Sequence, residues 1–180
     1  MIRKYPVVLL LFVILSCKSK EDKMFFDFDS VEYYSLNKSK EEEIGENNRN
    51  GIKDSIINDI LYSEFPEKLN DEAFYKIINS RGFSKFDLSQ KDVDCLKNDI
   101  FVEKISLKVF ETMKACAPEY RDFLVFRKND KVSGIAKICL WCGHSYFISS
   151  KNNINTEDFG TEEDYESLKE LFNTYKKDKN

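Results

Sequence analysis

The residues best suited to chemistry in this chain of 180 are five cysteines and a single histidine. Four of the cysteines, Cys95, Cys116, Cys139 and Cys142, lie in the second half, and the pattern Cys139-x-x-Cys142-x-His144 brings two sulfurs and the imidazole within six residues. Three chemistries use such a set. Four thiols can form two disulfides in three connectivities. Cys116, Cys139, Cys142 and His144 make a possible Cys3His zinc set, because zinc takes four nitrogen or sulfur ligands; a second CxxC, which would strengthen this, is absent. A redox CxxC belongs at a helix N-terminus after a strand, where the thiolate is stabilised; this one leaves a strand and leads toward another. Structural disulfides or buried thiols are therefore the leading reading, with metal and thiol-redox chemistry as alternatives. A catalytic His144 would need a hydrogen-bonded partner in a pocket, and the sequence supplies neither, so it reads as structural.

These thiols are positioned by what flanks them. Residues 122–128 (DFLVFRK) and 131–140 (KVSGIAKICL) surround Asn129-Asp130, a good pair for a tight hairpin turn. With a two-residue turn, Lys128 pairs with Lys131. Regular pairing then sets Cys139 opposite Tyr120 and Cys142 opposite Ala117, with Cys116 next door. A Cys139–Cys142 bond would require a turn through Trp141 and Gly143, because three extended steps span roughly 10 Å and bonded Cα atoms lie about 4.4–6.8 Å apart. Cys116 can reach Cys139 or Cys142 without one. Phe123 to Phe126 is apolar on both parities, the mark of a central strand covered on both faces. Beside it, Arg121 and Asp122 read as an ion pair at the hairpin entrance.

The remaining elements predict an α+β domain: an antiparallel C-terminal meander with short helices before it and one C-terminal helix. Residues 24–36 (MFFDFDSVEYYSL) favour a strand, their five aromatics reading as core. Residues 37–51 are polar and read as a loop with at most one helical turn. Ile56, Ile57, Ile60 and Leu61 form the stripe of a short helix ending before Pro66. Asn70 can cap a second helix, with Phe74, Ile77 and Ile78 inward and Gly82 closing it. Ser89 and Asp92 resemble a capping box for a third, with Val93 and Leu96 inward. Residues 105–114 favour a strand, and 145–150 a further one. Thr161 and Asp164 cap the last helix, lined by Tyr165, Leu168, Phe172 and Tyr175, with Lys176 and Lys177 at its negative end.

The fifth cysteine stands elsewhere. Arg3 and Lys4 precede an unbroken apolar run from Val7 to Leu15, too short for a span of about 20 residues and the right length for a signal-peptide core. The run ends Ile14-Leu15-Ser16-Cys17, which resembles the bacterial lipobox. That resemblance implies cleavage after Ser16, a diacylglycerol thioether on Cys17 and acylation of the new amine. The organisation is then a signal peptide at 1–16, a lipidated tether at 17–23 and one globular domain at 24–180. The mature chain has 26 basic and 32 acidic residues, a net charge of −6. That balance argues against nucleic acid as a partner and keeps the domain off an anionic lipid surface. Lys20-Glu21-Asp22 resembles a surface-display signal of Gram-negative lipoproteins, so the expected location is the outer membrane, lipid-anchored on its periplasmic face or at the cell surface.

A wider resemblance rests on Cys116-x-Pro118-x-Tyr120-Arg121-Asp122, on Lys137-Ile138-Cys139-x-x-Cys142, and on Asp158-Phe159-Gly160 with Asp164-Tyr165 and Leu168. Together with the lipobox, these resemble a group of small Gram-negative lipoproteins of no assigned activity, over roughly the last 65 residues plus the signal. The resemblance implies location and architecture; His144 lies outside its pattern. No GxSxG, HExxH, Walker or GxGxxG motif occurs, and no cofactor is called for. The expected role is binding or structural, with a protein or small-molecule ligand and without catalysis. The alternatives are an envelope thiol-redox or metal protein built on Cys116, Cys139 and Cys142, and an acidic inhibitor or immunity-type protein. Acyl chains contribute about 0.8 kcal/mol per buried methylene, so Cys17→Ala should move the protein from the membrane to the soluble fraction on cell fractionation. Retention of that variant in membranes would show that the lipid is not the anchor.

Overall fold

The computed structural model describes residues 24–80, 82–102, 116–151 and 159–177. The signal peptide, Cys17, the tether and the strand expected at 105–114 lie outside the described residues. Among those described, no helix is long and apolar enough to cross a membrane.

The apolar run at 123–126 sits in the middle strand of the molecule. Strands β1 (Ser30–Leu36), β2 (Phe83–Asp87), β3 (Asp122–Lys128), β4 (Lys131–Cys139) and β5 (His144–Ser149) form one antiparallel sheet in the order β2-β1-β3-β4-β5. Phe123, Leu124, Val125 and Phe126 all have zero exposure. Their alternation sends Phe123 and Val125 into one core and Leu124 and Phe126 into the other. The fold is thus α+β, with helices before an antiparallel sheet and one after it. The C-terminal meander is its larger part, and β1 and β2 extend it on the β3 side.

On one face lie α1 (Lys38–Arg49), α2 (Ser55–Tyr62) and α3 (Glu72–Ser80), which bury Ile57, Ile60, Leu61, Phe74, Ile77 and Ile78 against Tyr34, Phe123, Val125 and Ile135. On the other lie α4 (Gln90–Cys95), a π-helical turn that continues it (Leu96–Ile100), and α5 (Glu162–Lys177). The stretch expected to be a single strand from 24 to 36 divides here. Only its second part joins the sheet, while Phe25, Phe26 and Phe28 cross the second face as buried core. Phe26 stacks on Phe126 with ring centroids 4.2 Å apart, and Tyr33 stacks on Phe172 of α5 at 4.3 Å.

Several local expectations need correction. Residues 37–51 are not a loop: α1 runs for 12 residues. Only Ile44 of it is buried, so its apolar signal is too thin to read, and its Glu and Lys content supplies the helix propensity instead. Gly51, at φ +76°, follows its end. Ile56 is 41% exposed, because the inward stripe of α2 is Ile57, Ile60 and Leu61 and Ile56 lies off it. The cap of α3 is Asp71, one residue after Asn70, accepting from the Phe74 amide at 2.9 Å. At α4, Ser89 Oγ accepts from the Asp92 amide and donates to the Asp92 carboxylate, while the Ser89 amide donates to the Tyr175 hydroxyl. Tyr175 in turn donates to Asp92 at 2.6 Å, which ties α5 to α4.

The hairpin turn is as the sequence suggests, with Asn129 and Asp130 both at positive φ and Lys128 opposite Lys131. The expected register is not kept beyond it. Arg127 faces Val132, but Phe126 faces Gly134, so Ser133 is a bulge and every later pair moves by one. Extending the observed register sets Cys139 level with Arg121 rather than Tyr120. Gly134 is needed because the Phe26 ring covers it: a Cβ there would lie 2.2 Å from Phe26 Cδ1. Gly134→Ala should therefore cost about 1–3 kcal/mol by overpacking. Gly45→Ala, inside α1 with nothing nearer than Arg49 Nη1 at 3.7 Å, should be neutral or stabilise by up to about 1 kcal/mol. Urea unfolding of both variants checks this, and equal midpoints would contradict it.

Candidate functional site: the cleft at the disulfide end of the sheet

Strand β4 ends at Cys139, and residues 140–143 turn the chain into β5, with Gly143 at φ +59°. Cys142, in this turn, is bonded to Cys116, with Cα atoms 6.3 Å apart. The bond closes a loop of 26 residues, for which chain entropy alone predicts about 3.5 kcal/mol of stabilisation. It pins the turn against segment 116–121, which leads into β3. Between this corner and α5 opens a cleft of about 940 Å³. Leu36, Asp122 and Ile138 line it from the ends of three strands. The disulfide, Ala117 and Trp141 line one side, and Glu166, Lys169, Asn173 and Lys176 of α5 line the other.

Trp141 stands at this corner with 94% of its surface exposed, the most exposed of the large apolar residues described. Each charge around it has a partner of opposite sign, three cations against four carboxylates. Arg121 binds Glu119 at 2.7 Å and Glu41 at 2.9 Å. Lys169 binds Glu166 at 3.1 Å. Lys176 binds Asp122 at 2.8 Å. The expected Arg121–Asp122 pair does not form, because neighbours on an extended chain point to opposite faces. Asp122 is buried and also accepts from the Tyr33 hydroxyl at 2.6 Å. Desolvation first, and then the Asp122 charge, push the Tyr33 phenol well above its ordinary range.

The structure brings three of the four second-half cysteines to this corner and leaves one out. Cys116 and Cys142 form the disulfide, while Cys139 is a buried thiol whose sulfur accepts from the Glu119 amide at 3.4 Å. Cys95 is an exposed thiol on α4. Burial, and then Asp99 and Asp92, push its pKa up, so it is a poor nucleophile at neutral pH. His144 pairs with Cys139 across β4 and β5. Bonded to each other, Cys116 and Cys142 hold no free thiolate for a metal, and among the described residues no group of three or more His, Cys, Asp or Glu could hold one. The cleft therefore lacks an exposed reactive thiol: Cys139 is 3% exposed.

Sequence reasoning missed Trp141 and Lys137. Trp141 lies in a turn, where no periodicity marks it; its one signal was being the sole tryptophan, inside a CxxC. Lys137 is fully buried in β4. Its Nζ donates to the carbonyls of Ser63 at 2.6 Å and Phe65 at 2.7 Å, and it lies 4.6 Å from the Tyr120 ring centroid. It fastens the chain after α2 to the sheet. No family model, curated protein or solved structure matches this chain.

Burial pulls the Lys137 ammonium down to about 7, against smaller opposing effects of Asp59 and Glu64. Between that value and the ordinary 10.5, the unfolded chain holds a proton that the folded one does not. Stability from this group should thus be lowest below pH 7 and rise with pH through the window, at up to about 1.4 kcal/mol per pH unit. Urea unfolding at pH 7 and pH 9 should show the wild type gaining on Lys137→Met, which lacks the proton. Parallel profiles for the two proteins would refute this assignment.

Proposed function

We propose that this chain is a lipid-anchored envelope lipoprotein whose globular domain acts by binding, with the cleft beside Trp141 as its site. The observation that carries the reading is the indole itself, 94% exposed on a turn held by a covalent bond at the mouth of a cleft. Tryptophan is among the residues that dominate binding energy where it enters an interface. A turn already fixed by a disulfide loses little conformational freedom when it engages a ligand. The lipobox at Cys17 supports membrane attachment, and the outer membrane is the proposed location. The thiol-redox alternative has less support, because the two unpaired cysteines are respectively buried and flanked by carboxylates. Capture of a basic partner has less support at this cleft, since its carboxylates Glu41, Glu119, Asp122 and Glu166 already bind cations.

The test is retention of envelope components on immobilised full-length protein in detergent, wild type beside Trp141→Ala. The wild type should retain at least one component tenfold more strongly than the variant. Identical retention by both would remove the cleft as the binding site.

A further inference from the structure

We infer that the ligand of this cleft is a neutral carbohydrate chain, with one sugar ring stacked on Trp141; this rests on the binding reading above and names its ligand class. Three observations converge. The first is the flat, exposed indole, whose negatively polarised face attracts the C–H groups on the apolar side of a pyranose.

The second is the pairing of charge, three cations with four carboxylates. Arg121 with Glu119 and Glu41, Lys169 with Glu166, and Lys176 with Asp122 surround the cleft as ion pairs. Each pair fixes donors and acceptors in place with little net field. Sugar hydroxyls, which both donate and accept, suit such a lining. A polyanion would be better served by cations without carboxylate partners, and a basic peptide by carboxylates without cationic ones. The Asn173 amide adds a further donor and acceptor to the α5 side.

The third is shape. The cleft is open and, at about 940 Å³, lies near the upper end of the roughly 300–1,000 Å³ range of small-molecule sites. That fits several linked rings better than one. Leu36, Ile138 and Leu140 give the cleft apolar surface beside its charged groups. A purely apolar ligand would cover the flanking ion pairs without offering them hydrogen-bond partners, whereas a sugar ring presents both an apolar face and hydroxyls.

Trp141 is the only tryptophan in the chain, so tryptophan emission, excited at wavelengths that the nine tyrosines do not absorb, reads this site alone. Full-length protein in detergent would be titrated with neutral hexasaccharides of glucose, xylose, mannose, galactose and N-acetylglucosamine. A heparin fragment and a lysine-rich peptide would be run beside them. At least one neutral hexasaccharide should shift the emission and bind in the calorimeter. Its affinity should fall tenfold or more in Trp141→Ala, be partly kept in Trp141→Tyr, and change less than twofold between 50 and 500 mM salt. Trp141→Ala removes an exposed side chain, and an unchanged circular dichroism spectrum would show that it folds. No response to any of the five neutral sugars, sugar binding that survives Trp141→Ala, or salt-dependent binding of the heparin fragment or the peptide alone would each overturn the carbohydrate assignment. Trp141-dependent retention of a non-carbohydrate envelope component would overturn it too while leaving the binding reading in place. Loss of both the sugar response and the Trp141-dependent retention would remove the binding reading itself.

Discussion

Strand β3 must be hidden on both faces, and the rest of the molecule follows from that demand. Four consecutive apolar side chains, Phe123 to Phe126, have no exposure. Each contributes on the order of 1.5–3 kcal/mol when buried, and because the strand alternates, half of that gain lies on each side of the sheet. One helical layer cannot collect both halves. The chain meets this by placing α1, α2 and α3 on one face, and the 25–28 segment, α4 and α5 on the other. The same alternation governs the charged residues that lead into the strand. Arg121 and Asp122 are neighbours in sequence, yet one reaches toward α1 and the other toward α5. The charged lining of the cleft is thus an end effect of the central strand.

A single inserted residue links the core to the sulfur chemistry. Ser133 bulges out of β4, and from Gly134 onward the pairing with β3 is displaced by one. The bulge coincides with the place where Phe26 crosses the sheet, stacked on Phe126 and covering the bare Cα of Gly134. Register beyond the bulge decides where Cys139 and the following turn fall relative to segment 116–121. With it, Cys139 points into the core beside the α1–α3 layer, and Cys142, three residues on, meets Cys116 across the turn.

The sequence was most legible where signals agreed with one another. The doubly apolar β3, the Asn129-Asp130 turn, the stripes of α2, α3 and α5, and the Ser89 and Thr161 caps all combine period with local chemistry, and the α+β class followed from them. The α1 helix was hidden because a helix with one buried residue has almost no period. Strand β2, with no fully buried residue, was hidden for the same reason. The bulge could not be read, since Ser133-Gly134 looks like ordinary strand until Phe26, a hundred residues away, is laid over it. The candidate site was half legible. Its cysteines drew attention to the right corner, but Trp141 and the ion pairs owe their significance to the meeting of α1, β3, the turn and α5, a tertiary fact that no local window contains.

The two treatments of charge in this protein separate scaffold from site. Lys137 is a buried amine held by backbone carbonyls and aromatic faces, and among the described residues no carboxylate forms a salt bridge with it, Asp59 and Glu64 acting only as smaller effects. Such a group costs desolvation and is retained because it fastens an irregular segment to the sheet. Around the cleft the opposite holds: cations sit with carboxylates, and the pairs of Arg121 and Lys169, which lie at the solvent boundary, contribute little to stability. Pairs that do little for the fold, grouped around a covalently pinned turn that presents an exposed indole, are poorly explained by stability alone. They make sense as a prearranged set of hydrogen-bonding groups whose partner comes from outside the chain.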